Sequence, residues 1–487
     1  MKKNTQRNLT LLTDLYQLTM MNGYLEKGNR EEIAVFDVFF RQNDMITYSL
    51  ACGLEQVVEY VLNLNFGEEE IDYLKGLGMF SDKFLSYLKD FKFTGDIYAV
   101  PEGTVVFPGE PILTVKAPIL QAQLVETAIL NMMNFQTLIA TKSAKICYAA
   151  KGDTVMEFGL RRAQAPDAGI YGARAAVIGG CKVTSNVLAG KMFGIPVAGT
   201  HAHSWVMNFK DEYTAFLEYA KTYPDNALLL VDTFDTLNQG VPNAIKVFDY
   251  LKEKGHKPKG IRLDSGDLAY LSKKARKMLD DAGYPDTIIC ASGDLDEYSI
   301  TSLKNQGARI DLWGVGTKLI TSADMPALGG VYKLSAIIDK DGNVTPKIKL
   351  SNNSAKITNP GIKNIYRVYD KQTGKAEADF IYLREEEGTI NTDKPLELVH
   401  PTERWKKTVY TNYELRSLQV DVIKDGKLVY KLPTLEEIKE YAQKELESFW
   451  DEYKRLDRPH VYKVDLSDGL YELKRDMLEK IRSKQVN

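Results

Sequence analysis

At 487 residues the chain is long enough for about three domains and a large buried core. Its formal net charge of -3, from 63 Lys and Arg interspersed with 66 Asp and Glu, leaves no global basic field to recruit nucleic acid or an anionic membrane, so the expected partner is a small molecule. The four cysteines, Cys52, Cys147, Cys181 and Cys290, lie far apart and form no CxxC pair or ligand cluster, which suggests a reducing, cytoplasmic setting.

In chain order, residues Met1 to Arg7 are polar, and the segment Leu9 to Met21 is broken by Asp14 and lacks a small-residue cleavage site, so no signal peptide is expected. The longest stretch free of charge and histidine, Thr127 to Thr141, holds Asn, Gln and Thr and is shorter than the about 20 apolar residues of a membrane span, so a soluble protein is expected. Residues 1–140 read as an N-terminal α/β lobe. Its β-rich part is Asp96–Val100, Thr104–Phe107 and Ile112–Val115, punctuated by Pro101-Glu102-Gly103 and Pro108-Gly109-Glu110-Pro111.

From 141 to 335 apolar runs repeatedly end in reactive residues: Met156 to Arg162, Ile195 to Ser204, Leu229 to Asp235, Ile261 to Asp267, Ile288 to Asp294 and Ile310 to Thr317. The markers Phe158, Thr200, Asp232, Asp264, Gly293 and Val315 are separated by 42, 32, 32, 29 and 22 residues, close to the roughly 30 of a βαβ unit. Amphipathic stretches at Asp211–Thr222, Asn243–Lys254 and Asp267–Ala282 supply the intervening helices. The pattern predicts a (β/α) barrel, complete or incomplete in its ring, with its active site at the C-terminal strand tips. Any one Asp, Ser or Gly at a tip can be an ordinary turn or cap residue; six polar tips together favour a site.

Beyond the barrel, 336–487 is expected to form hairpins around Lys340-Asp341-Gly342-Asn343 and Asp370 to Gly374, then helices, packing on the N-terminal lobe. Thr434 to Glu437 forms a capping box, and Ile438, Ala442, Leu446, Phe449 and Tyr453 trace one helical face. The charge-rich stretch from Asp451 to Asn487 reads as a solvated surface.

Among the tips, Gly314-Val315-Gly316-Thr317 offers consecutive backbone N–H groups suited to a phosphate, without a Walker A sequence or the third glycine of a dinucleotide fingerprint. Asp264 and Asp267, with Asp294 on the next strand, suit ribose hydroxyls or a hard cation such as Mg²⁺, although Asp267 also reads as a helix cap. Arg262 supplies a planar fork for a carboxylate or phosphate. His201 and His203, two apart on a predicted strand, would share one face about 7 Å apart. A metal-dependent barrel hydrolase would need further ligands at other tips, and His256, His400 and His460 do not supply them.

These residues resemble the nicotinate phosphoribosyltransferase family. The likeness spans nearly the whole chain and rests on Thr13 to Met20, Phe36 to Arg41, Glu157-Phe158-Gly159-Leu160-Arg161-Arg162-Ala163, Ser185 to Gly190, Gly199-Thr200-His201-Ala202-His203-Ser204, Arg262-Leu263-Asp264-Ser265-Gly266-Asp267 and Gly314-Val315-Gly316-Thr317. The resemblance implies the α/β fold of type II phosphoribosyltransferases: a (β/α) barrel-like domain plus an α/β sandwich lobe built from N- and C-terminal segments. It implies that nicotinate displaces pyrophosphate from 5-phosphoribosyl 1-pyrophosphate with Mg²⁺, coupled to ATP hydrolysis through a phosphohistidine, in the first step of NAD salvage from nicotinate. By motif position the phosphohistidine is His203, with Asp264 and Asp294 also catalytic. Tyr16, Phe158, Thr200 and Arg262 bind nicotinate, Tyr16 reaching across from a second subunit of a homodimer with shared sites. Arg161, Gly314, Gly316 and Thr317 hold phosphoribosyl pyrophosphate, and Asp264 and Asp267 are the Mg²⁺ candidates. His201 is read as supporting.

Nicotinamide-using relatives place an acid in the segment matching Lys182 to Ser185, whereas no carboxylate lies from Gly179 to Gly190, which favours nicotinate. A quinolinate enzyme would demand a denser Arg/Lys cluster, and a sugar-phosphate sensor would bind without turnover. No cysteine follows Cys290, so no C-terminal zinc knuckle is expected.

Overall fold

The structure, a computed structural model, describes residues 7–28, 31–41, 47–352 and 356–485. The chain divides into two compact units, one made of Met1–Thr137 with Ala327–Asn487 and the other of Leu138–Pro326.

The first unit takes one sheet from both ends of the chain. Ile33–Phe40 pairs antiparallel with Gly330–Ile338 on one side and Leu113–Pro118 on the other; Asp96–Ala99 and Val420–Lys424 extend the sheet, with Val344–Pro346 and Lys427–Leu428 at its edges. The expected boundary at 335 therefore falls inside a strand of this sheet. A second sheet runs Tyr413–Ser417, Lys363–Asp370, Ala376–Leu383 and Val464–Leu466. Its last strand corrects the solvated reading of 451–487, since Tyr462, Leu466 and Leu470 are buried. The capping box at Thr434 and Glu437 starts the helix Leu435–Glu447, but that helix ends before Phe449 and Tyr453, which lie on the following turn and on Asp451–Lys454.

Arg367 sits buried between the two carboxylate oxygens of Asp379, at 2.9 and 2.7 Å, and Glu445, at 2.9 Å, over the ring of Phe449. Glu110 joins this cluster. Burial, and next the Asp379 carboxylate, push its carboxyl well above the ordinary value, while the Phe107 N–H donates to its Oε2 at 2.8 Å. A raised folded-state pKa means that the folded chain binds more protons than the unfolded one as pH climbs past about 4.3, so this group costs stability as pH rises. Glu110→Gln, which cannot ionise, is expected to match wild type in urea midpoint near pH 4 and to exceed it at pH 8. Parallel midpoint-versus-pH curves for the two proteins would contradict a neutral Glu110.

The second unit is a parallel sheet in the order Val183–Thr184, Thr154–Glu157, Leu312–Val315, Ile288–Ser292, Gly260–Leu263, Leu228–Leu230. Helices Glu212–Thr222, Val241–Glu253, Leu268–Asp281 and Glu297–Asn305 connect or flank the strands. Three of the four start on an aspartate cap: Asp211, Asp267 and Asp296 accept from the N–H groups of Thr214, Tyr270 and Ser299. Each turns an apolar stripe inward, as with Ala244, Val247, Phe248 and Leu251. Inside the curved sheet Met156, Leu228 and Cys290, from alternate strands, form one packed layer, the filling pattern of a (β/α) barrel.

The predicted strand at Ile195–Ala198 is reduced to a single bridge between Val197 and Thr184. Among the described residues no ladder joins this segment to Leu228–Leu230, so the barrel has a seam there. His203 does not continue an extended strand as expected; it opens the short helix His203–Met207.

Candidate active site

The strand tips of the second unit enclose a cavity of about 540 Å³. It is lined by Phe158, Arg161, Arg162, Ser185, Thr200, His201, His203, Arg262, Asp264, Ser292, Asp294, Gly314, Gly316 and Thr317 among others. Most of the residues singled out by the sequence thus converge on one wall-to-wall polar site, as strand tips of one barrel must.

The Phe158 tip is held from below by Glu157, which is buried and whose Oε1 accepts from the Gly159 N–H while Oε2 accepts from the Thr184 hydroxyl at 2.6 Å. Burial pushes the Glu157 carboxyl up, and those two donors oppose it. Phe158 lies against Gly314, where a Cβ would stand 2.8 Å from the ring, so glycine there is what lets the ring lie flat on the neighbouring strand.

Arg262 is spread across the floor. Its Nε donates to Ser292 Oγ, Nη1 to Thr200 Oγ1 and Nη2 to Asp264 Oδ1, each at 2.8 Å, and the guanidinium carbon lies 5.6 Å from the Phe158 ring centroid. Three of its five N–H groups are spent; two remain for a ligand. The buried Ser292 hydroxyl also donates to Asp264 Oδ1. Burial alone would raise the Asp264 carboxyl, but the Ser292 hydroxyl and the Arg262 charge outweigh it and hold that carboxyl below its ordinary value. Both bonds fall on Oδ1, so Oδ2 stays available. Gly293, at φ +99°, packs against the Asp264 main chain, and Asp294 follows at φ +45°, a left-handed conformation that Asp tolerates.

His203 is partly exposed, and its Nε2 stands 3.1 Å from Oδ1 of Asp232, whose side chain is 2% exposed. Oδ2 of Asp232 accepts from the Asp264 N–H and the Ser265 hydroxyl, both at 2.8 Å. A carboxylate on Nε2 fixes the proton there and leaves Nδ1 with its lone pair free, the state a nucleophilic imidazole needs.

Comparison with known proteins gives the same reading. Residues 11–134 match the model described as nicotinate phosphoribosyltransferase (NAPRTase) N-terminal domain, 154–376 that of the nicotinate phosphoribosyltransferase (NAPRTase) family, and 362–474 that of the nicotinate phosphoribosyltransferase C-terminal domain. The chain belongs to the nicotinate phosphoribosyltransferase family. It is 47% identical over 480 residues to the Bacillus subtilis (strain 168) nicotinate phosphoribosyltransferase, covering 98% of this chain and 96% of the relative. It is 38% identical over 520 residues to that of Dictyostelium discoideum, covering 95% and 87%. Among solved structures it resembles the human nicotinic acid phosphoribosyltransferase at 29% identity and a TM-score of 0.84, covering 96% of this chain and 100% of that one.

Within this family frame three further residues are placed by the structure. Asp267 is not among the residues lining the cavity: it is exposed and caps the helix Leu268–Asp281 through Oδ1. Tyr16 belongs to the other unit, on the helix Leu15–Lys27, 49% exposed, and is not among the cavity residues. Asp232, which the sequence marks only as a strand tip, is the partner of His203. Its signal was the run Leu229-Leu230-Val231-Asp232, the same apolar-to-acid grammar that marks Asp264.

Proposed function

We propose that this chain forms nicotinate mononucleotide and pyrophosphate from nicotinate and 5-phosphoribosyl 1-pyrophosphate, with ATP hydrolysis coupled through phosphorylation of His203, as the first step of NAD salvage from nicotinate. The observation that carries it is the convergence of His203–Asp232, the Arg262–Asp264 pair and the Gly314–Thr317 loop on one cavity.

In this reading the pyridine ring lies on Phe158, and the two unspent N–H groups of Arg262 meet its carboxylate in the geometry an Arg fork suits. Ser185 lines the cavity without adding a charge that would repel that carboxylate. Tyr16 of a second copy would cover the other face of the ring in a homodimer; its half-exposed phenol on Leu15–Lys27 fits that use. The ribose 5-phosphate rests on Gly314, Gly316 and Thr317, where the first N–H groups of a helix lack intrahelical partners. Arg161 at the rim offsets charge on the departing pyrophosphate.

The ring nitrogen of nicotinate forms the new bond to C1 of the ribose as the bond from C1 to the pyrophosphate oxygen breaks, and pyrophosphate leaves with that electron pair. Asp264 and Asp294, both on the cavity wall, stabilise positive character at C1 and hold ribose hydroxyls. Among the described residues no set of three or more His, Cys, Asp or Glu is placed to bind a metal, so a cation here would rest on one or two carboxylates plus substrate oxygens, which suits Mg²⁺. Asp264, with Oδ2 available, and Asp294 would hold it, and when bound it would neutralise phosphate charge.

In the ATP-coupled half, His203 Nδ1 takes the γ-phosphoryl group, ADP leaves, and water later cleaves the P–N bond to release phosphate. No helix among the described residues is long and apolar enough to cross a membrane. The four cysteines are free, which fits the proposed reducing, cytoplasmic setting.

The test is pyrophosphate release with nicotinate and Mg²⁺, with and without ATP, in wild type and His203→Ala. ATP stimulation confined to wild type is expected. Equal stimulation in His203→Ala would move the acceptor off His203, and faster turnover of nicotinamide than of nicotinate would overturn the substrate assignment.

A further inference from the structure

The seam of the barrel is bridged by two imidazoles. The Leu230 N–H donates to His201 Nε2 at 3.2 Å, and His203 Nε2 meets Asp232 Oδ1 at 3.1 Å. Each contact joins residues 29 apart in sequence, and each side advances by two, the step of parallel strands in register. Yet no main-chain ladder runs between these segments among the described residues. Leu230 is buried, and a buried edge N–H needs an acceptor. The His201 ring takes the place of a missing strand carbonyl.

His201 is suited to that task. It is 7% exposed and packs on Tyr219 and Phe216, with ring centroids at 4.8 and 6.0 Å. Burial first, then the nearby charge of Arg262, pushes its pKa down to about 4, so the ring is neutral at any working pH. Because Nε2 accepts, the ring proton sits on Nδ1, which faces the Ala202 carbonyl at 3.4 Å. Neither nitrogen is free for a phosphoryl group or for a metal shared with His203.

We propose that His201 is a positioning residue whose imidazole closes the seam at Leu230 and so sets the register that holds His203 Nε2 on Asp232. The proposal rests on the reading of His203 as phosphoryl acceptor, and two independent readouts separate the two ideas. His201→Gln keeps an acceptor, since the Gln side-chain carbonyl reaches as far as Nε2, whereas His201→Ala removes it. In the full-length chain with ¹⁵N-labelled histidine, only five rings need assignment. Wild type and His201→Gln are expected to show His203 as the Nε2–H tautomer alone; His201→Ala is expected to show both tautomers. Labelled phosphate transfer from ATP to histidine should fall about tenfold or more in His201→Ala and stay within about threefold of wild type in His201→Gln, the scale of one lost hydrogen bond.

A thermal melt checks that the alanine variant is folded. Should it not be, His201→Leu, which fills the space without an acceptor, replaces it. A single Nε2–H tautomer and wild-type phosphate transfer in the acceptor-free variant would overturn the proposal, as would Gln failing as badly as Ala. If wild type itself takes up no phosphate, the ATP reading falls, and the tautomer arm alone decides the register.

Discussion

With His203 as the proposed phosphoryl acceptor, Asp232→Asn is expected to slow transfer from ATP by on the order of 10³-fold, although the side chain keeps its shape. The carboxylate accepts on both oxygens: from His203 through Oδ1, and from the Asp264 N–H and Ser265 hydroxyl through Oδ2. Asn has one oxygen, and two donors on the Asp264 side compete for it. Its NH₂ then faces His203 and makes Nε2 an acceptor, which drives the ring proton onto Nδ1, the atom that must attack. A wrong tautomer at an otherwise intact site costs several orders of magnitude in Ser-His-Asp enzymes, and the same logic applies here. Asp232→Ala, which favours neither tautomer, should be the milder of the two in the tautomer term, although it leaves the Asp264 N–H unpaired at about 1–3 kcal/mol. Single-turnover incorporation of label from γ-labelled ATP reads both variants. An Asn variant as fast as wild type would show that Nδ1 is not the nucleophile.

The largest expected effect on stability belongs to Arg367→Ala. Arg367 is fully buried with Asp379 and Glu445, and the phenol of Tyr462 also donates to Asp379 Oδ1 at 3.0 Å. Removing the guanidinium leaves Asp379 buried beside the Tyr462 hydroxyl and the Glu110 carboxyl with no cation. Glu445 fares better, because Arg416 donates to its Oε1 at 2.5 Å. Breaking a buried pair from one side costs about 3–5 kcal/mol, while replacing both partners with apolar groups is often neutral. The urea midpoint of Arg367→Ala should therefore drop steeply, and Arg367→Met with Asp379→Leu should recover a substantial part. Lys is no substitute, since it cannot span both Asp379 oxygens. A loss below about 1 kcal/mol in the single variant would mean that the cluster relaxes to admit water.

How much of this was legible in the sequence follows from what each feature depends on. The strand tips at Phe158, Arg262, Asp264, Asp294 and Gly314 to Thr317 were readable because burial of a strand on both faces writes a continuous apolar run, and the polar residue ending it marks where the sheet opens to solvent. The caps Asp267 and Thr434 were readable for an equally local reason. Ile195–Ala198 has the same apolar composition as its neighbours but gains only one bridge, because strand status needs a partner and the seam withholds one. Val464–Leu466 was hidden in a charge-rich tail for the converse reason: its pairing with Ala376–Leu383 supplies the structure that its own residues do not suggest. The role of Asp232 depends on His203 arriving from 29 residues away, a juxtaposition no local pattern encodes.

The first unit closes its sheet with strands from opposite ends of the chain. Ser335 donates to the Val35 carbonyl across 300 residues, and Gln419 to the Pro111 carbonyl across 308. During synthesis the strand Ile33–Phe40 must therefore wait, one long edge unpaired, until Gly330–Ile338 has left the ribosome, and Asp96–Ala99 must wait for Val420–Lys424. The continuous stretch Leu138–Pro326 has no such debt and can complete its parallel sheet while the rest is still being translated. Exposed edges and long loop closure make the waiting lobe the slow and aggregation-prone part of the molecule, and a chain truncated before 420 would carry that vulnerability permanently.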